Sequence, residues 1–135
     1  MTKIKQLNEM SKKIINTEKA PAPIGPYSQA ILSDNTLYVS GQIAIDSSSG
    51  KIVMDDITKE THQVMKNMGF ILEAAGMDYS NVVKCGIFVA NMGDFAAINA
   101  AYGEYFKVNP PARETVEVSC LPKNVNVEIS CVAVK

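Results

Sequence analysis

A single histidine, an odd number of cysteines and no long apolar run set the first limits on this chain of 135 residues. With His62 alone, acid–base chemistry built on a histidine pair and a histidine-based zinc site are both excluded. His62 falls beside the apolar stripe of a helical stretch, toward its polar side, and reads as a solvated surface residue. Cys85, Cys120 and Cys131 cannot all pair, and each lies in an apolar, strand-like run. They read as buried thiols in a reducing compartment, not as a disulfide frame or a metal set. No stretch approaches the roughly 20 apolar residues of a membrane span. The first ten residues also lack the apolar core and cleavage site of a secretory signal. The expectation is a cytoplasmic protein with no membrane partner. Charge of one sign is lacking too: 13 basic residues against 14 acidic ones give a net charge of −1. That balance carries no electrostatic footprint for nucleic acid.

What is present is an ordinary globular balance, 47% apolar and 20% charged, at a length that suits one domain with a proper core. Residues 1–11 read as a loose polar extension and residues 12–135 as the domain. Lys13 to Asn16 suits a short edge strand. Ser28 to Leu32 and Thr36 to Val39 read as strands joined by the turn Ser33-Asp34-Asn35. From Asp55 to Gly76, Ile57, Thr61, Val64, Met68, Ile71, Leu72 and Ala75 recur at helical spacing, with Asp55 or Asp56 to cap the start and Gly76 the end. Val82 to Ala90 alternates with both faces apolar, Val83, Cys85, Ile87 and Val89 on one of them. A second helix runs from Phe95 to Phe106. The chain closes with a strand over Val116, Val118 and Cys120, the turn Leu-Pro-Lys-Asn, and a strand alternating Val125, Val127, Ile129, Cys131 and Ala133 against Asn126, Glu128, Ser130, Val132 and Val134. Two helices serving five or six strands predict an α+β fold, one mixed sheet with both helices on one face. The other face, carrying Phe88 and Val132, would stay apolar and bare, which predicts self-association.

Candidate chemistry concentrates near the C-terminus. Pro110 and Pro111 halt the preceding helix, and Arg113 follows at the mouth of a strand. Glu128 lies well inside the next strand, where an unpaired charge is expensive. Residue types alone allow two readings, a structural ion pair between them or capture of a small carboxylate by the planar guanidinium. Three prolines and a glycine make a rigid loop of Ala20 to Tyr27, which presents Tyr27 either to a pocket or simply to the sheet edge. Ser40-Gly41-Gln42 interrupts a strand, so Gly41 marks a bulge or a close approach. Asn99 sits inside the second helix, where asparagine has weak propensity, as an exposed polar position or for a specific contact.

Taken together, five segments carry a resemblance: Ala-Pro-Ala-Pro-Ile-Gly-Pro-Tyr-Ser-Gln (20–29), Tyr-Val-Ser-Gly-Gln-Ile (38–43), Asp-Phe-Ala-Ala-Ile-Asn-Ala-Ala-Tyr (94–102), Pro-Pro-Ala-Arg-Glu-Thr-Val-Glu-Val (110–118) and Leu-Pro-Lys-Asn-Val-Asn-Val-Glu-Ile (121–129). In these the chain resembles the Rid family, the YjgF-like reactive-intermediate deaminases, and within it the RidA subgroup. The resemblance implies a homotrimer of the chorismate-mutase-like fold with clefts between neighbouring subunits. It implies hydrolysis of 2-aminoacrylate-type enamines or their imines to 2-keto acids and ammonia, without a cofactor. Such compounds arise when pyridoxal-phosphate dehydratases act on serine and threonine.

On that resemblance Arg113 takes the substrate carboxylate, backbone groups near Ser40, Gly41 and Thr115 fix the rest, and Glu128 acts as general base on water. Tyr27, from the neighbouring subunit, and Asn99 close and polarise the pocket, and Arg113 keeps Glu128 ionised. Many relatives carry a cysteine where this chain has Thr115, so thiol chemistry is unsupported here. Three competing expectations stand beside hydrolysis. One is a regulatory protein that binds a small carboxylate without turning it over, and another is an RNA-directed ribonuclease or translation inhibitor. The last is a holdase using the bare apolar face.

Overall fold

Why the chain closes as it does is clearest at its last strand. A computed structural model describes residues 12–135; the expected extension over residues 1–11 lies outside the described residues. Strands β1 (Lys12–Ile15), β2 (Ala30–Ser33) and β3 (Thr36–Gln42) precede helix α1 (Ile57–Ala74). Then follow β4 (Val82–Val89), helix α2 (Phe95–Gly103), β5 (Ala112–Glu117) and β6 (Val127–Val134). The sheet order is β1-β2-β3-β6-β4-β5, so β6 joins the three N-terminal strands to the later pair. Every pairing is antiparallel except β4 with β5, and α2 supplies the crossover that a parallel pair requires. The fold is the mixed α+β arrangement predicted from the order of elements.

The helices form for the expected reasons. Asp56 caps α1 by accepting from the Lys59 N–H at 2.8 Å, which satisfies one of the orphan donors of the first turn. Gly76, just past the end, adopts φ +73°, a conformation that favours glycine. Val64, Met65, Met68, Ile71 and Leu72 of α1 lie in a continuous core with Leu37, Ile87, Ile98 and Ile129. Along β6 the alternation holds, with Val127, Ile129, Cys131 and Ala133 buried. Among the described residues no helix is long and apolar enough to cross a membrane.

Four expectations need correction. The strand placed over Val116 to Cys120 runs instead from Ala112 to Glu117, so Arg113 lies within it and Cys120 is exposed beyond its end. It is an edge strand paired on one side only, and that leaves most of its residues exposed. In β4 the register shifts between Val82 and Lys84, so Val82 enters the core and Val83 turns outward. The second helix keeps α-helical form only to Gly103. His62 is not simply solvated: its Nδ1 shares a 2.8 Å hydrogen bond with the Tyr105 hydroxyl, and its Nε2 lies 2.9 Å from Glu104.

The face away from the helices is bare in the single chain. Tyr38 stands opposite Val132 there and is 53% exposed. Phe88 lies opposite Glu128 and beside Val116, and Lys84 pairs with Glu114 at 3.1 Å.

Candidate active site

The proline-rich loop is held by a residue that composition does not flag. Gln29 is buried beneath it, and its Nε2 donates to the carbonyls of Thr17 (3.0 Å), Ala20 (3.2 Å) and Pro21 (2.9 Å). Its Oε1 accepts from the Thr17 N–H at 2.8 Å. Carbonyls in a segment that cannot join a ladder need donors from elsewhere, and a side-chain amide supplies them. Above Gln29 the loop exposes half of Tyr27 (50%) and most of Ile24. Ser40 ties β3 to the same loop, donating from its hydroxyl to the Ser28 carbonyl at 2.6 Å.

At the end of β3 the strand is irregular between Val39 and Gln42. A Cβ on Gly41 would lie 2.7 Å from Glu128 Cδ, closer than real contacts allow. Gly41 therefore serves both readings, a bulge and a close approach to the carboxylate. After β3 the chain is pinned by Asn67 of α1, buried in the core, whose Nδ2 donates to Ile43 (3.0 Å) and Ile45 (2.9 Å). These elements enclose a pocket of about 390 Å³ lined by Ile24, Tyr27, Gly41, Ile43, Pro122 and Glu128, among others, with Ser40 also at its wall. A cavity of that size suits a small molecule. Burial pushes the Glu128 carboxyl above its ordinary range, by desolvation alone. Gln29 and Asn67 were missed as contributors, and the only signal in the sequence was an amide placed beside a run that cannot form regular bonds.

The remaining candidates lie elsewhere. Arg113 stands in register with Cys85 on the helix-covered side, its guanidinium 5.5 Å from the Phe95 ring centroid and 5.2 Å from that of Tyr102. Asn99 accepts from Arg113 Nη1 at 2.7 Å. So Asn99 makes a specific contact, but to the guanidinium and not within the Tyr27 pocket. The Thr115 hydroxyl, two residues on, is buried without a hydrogen-bond partner among the described residues. Arg113 is the chain's one arginine, and among the described residues it forms no ion pair. That removes the intrachain ion pair with Glu128. Strand β4 separates β5 from β6, and the two side chains lie on opposite faces of the sheet. Strands consecutive in the chain are thus not neighbours, and within one protomer Arg113 does not act on Glu128.

The chain matches the family model Endoribonuclease L-PSP over residues 17–135. The chain belongs to the Rid family. Its RidA character rests on relatives such as the human 2-iminobutanoate/2-iminopropanoate deaminase, 47% identical over 129 residues, 96% of this chain and 94% of that protein. Among solved structures, the Rid-family protein YyfA of Yersinia pestis is 46% identical, with a TM-score of 0.89 over 92% of this chain and 99% of that one. E. coli TdcF, solved with bound serine, is 35% identical, with a TM-score of 0.88 over 92% of this Rid chain and 99% of its own.

Proposed function

We propose that this Rid protein hydrolyses 2-iminobutanoate and 2-iminopropanoate, the imine forms of 2-aminoacrylate-type compounds, to 2-keto acids and ammonia. The human relative that carries this activity in its name aligns with nearly the whole chain. One observation carries the chemical reading: a guanidinium without a carboxylate partner and a carboxyl made more basic by burial are each left uncommitted, on two surfaces of one protomer. A second copy brings the two together. In that arrangement the protein is a homotrimer, and each site joins Asn99, Arg113 and Thr115 of one protomer to Tyr27, Ser40, Gly41 and Glu128 of the next.

The chemistry then follows in balanced steps. Arg113 holds the substrate carboxylate through charge-assisted bonds worth about 1.5–3 kcal/mol each. Its guanidinium is already oriented by Asn99 and by two aromatic rings, so little order is lost on binding. Glu128 takes a proton from a water as the oxygen adds to the C=N carbon. With the imine protonated at nitrogen this gives a neutral carbinolamine. Glu128 returns that proton to the nitrogen, then takes the hydroxyl proton as the C–N bond breaks. This leaves the keto acid and ammonia, which carries the last proton away as ammonium, with one water consumed. The serine held by TdcF has the dimensions this reading asks of a ligand.

The test is release of ammonia and keto acid from imines made freshly by a threonine or serine dehydratase. Accelerated release over the uncatalysed rate is expected. Tight binding of 2-ketobutyrate with no acceleration would establish the regulatory reading instead. No residue of the Tyr27 pocket is a histidine, and His62 is engaged between the helices, which disfavours RNA cleavage there.

A further inference from the structure

Glu60 is a fully buried carboxylate on the core side of α1, and none of the roles above uses it. No cation pairs with it among the described residues. Instead both oxygens grip one residue. Oε2 accepts from the Asn126 backbone N–H at 2.7 Å, and Oε1 accepts from Asn126 Nδ2 at 2.7 Å. The Asn126 carbonyl in turn accepts from the Ala90 N–H at 3.0 Å, just past the end of β4. A buried charge is destabilising unless its acceptors are filled by strong donors. Glutamine would avoid the charge, but it offers one acceptor and one donor where Asn126 presents two donors. The carboxylate is retained because only two acceptors complete the clamp.

The clamp sits where the chain most needs one. Asn126 follows a turn in which Lys123 and Asn124 both adopt left-handed backbone (φ 56° and 55°), and it immediately precedes β6. Glu128 is the second residue of that strand, and it packs against Gly41 with no space for even a methyl group between them. A small shift in where β6 begins moves the carboxylate directly. We infer that Glu60 is a positioning residue, setting the start of β6 through Asn126 and thereby placing Glu128 for its work on water. This rests on the deaminase reading of Glu128.

The experiment compares wild type, E60Q and the double variant E60Q/N126D on dehydratase-generated 2-iminobutanoate. In the double variant the introduced amide accepts from the backbone N–H through its oxygen and donates from its nitrogen to the introduced aspartate. Both bonds thus return without the buried glutamate. For E60Q, kcat should fall by about tenfold or more with KM changed less than about twofold, since misplacement of a reacting group acts on kcat. The double variant should recover kcat to within about threefold of wild type, as restored geometry requires. If E60Q fails to fold, the double variant alone decides. Wild-type kcat in E60Q, or a folded double variant that stays impaired, overturns the clamp. An inactive wild-type protein, or full turnover by E128Q, defeats the deaminase reading itself, so the two failures are told apart.

Discussion

At the scale of single residues, Arg113 and Glu128 differ in what their surroundings do to them. The guanidinium is fixed but unpaired, by one amide and two ring faces. Arg113→Ala should lower kcat/KM by about 100-fold or more, the loss of charge-assisted bonds to a carboxylate, with the oligomer unchanged by light scattering. Glu128 is shifted upward by desolvation, and the sign follows from that. A folded-state pKa above the unfolded one means that the native protein holds this proton more tightly. Its contribution to stability is present below the unfolded value and is lost as pH rises through the folded one. The base form appears over the same interval, so activity should rise with pH along a limb set by this carboxyl. Glu128→Gln should remove that limb and the turnover together while leaving thermal stability at neutral pH equal or slightly higher. A Glu128→Gln protein with an unchanged pH profile would assign the base elsewhere. Both residue types were legible in the sequence as a cation and an acid in need of tasks. Their separation onto two faces was not, because facing depends on the register each strand takes against β4.

Among the elements, the proline-rich loop and the segment after β3 have no regular ladder of their own. Each is held by one buried amide, Gln29 and Asn67 respectively. Gln29→Ala leaves three carbonyls and one N–H without their partner, and a destabilisation of about 2–3 kcal/mol is expected by chemical denaturation. Because Tyr27 lies on that loop, kcat should fall as well, whereas a surface change such as Lys51→Ala should alter neither. The helix spacing from Ile57, a cap at Asp55 or Asp56 and the alternation of β6 could all be read from the sequence, since local periodicity and capping depend on near neighbours. The extent of β5 could not. Its valines alternate as a half-buried strand would, yet an edge position with a bare outer face leaves Val116 exposed. His62 was misread for a related reason: its partners Tyr105 and Glu104 lie more than 40 residues away, across the gap between two helices.

For the molecule as a whole, the question is what covers the face bearing Tyr38, Phe88 and Val132. Burying one large aromatic or aliphatic side chain contributes about 1.5–3 kcal/mol, so a few such residues favour association strongly. Sedimentation should give three times the 14.6 kDa of one chain. Arg113→Ala and Glu128→Gln supply a sharper test, since each damages a different half-site. Refolded together in equal amounts, the two inactive proteins should recover roughly a quarter of wild-type activity, because one interface in four joins an intact arginine half to an intact glutamate half. No recovery at all would place each site within a single protomer.

The sequence by itself determined the element order, the core-facing residues of the first helix and the last strand, and the family, because these follow from local spacing and from motifs that survive as strings of residues. Only the tertiary structure decided that β6 would be inserted between β3 and β4. That insertion brings Gly41 against the acid, and the registers of β5 and β6 on β4 put Arg113 and Glu128 on opposite faces. The physical reason is that strand pairing is chosen by burial over the whole sheet, and adjacency along the chain does not constrain it.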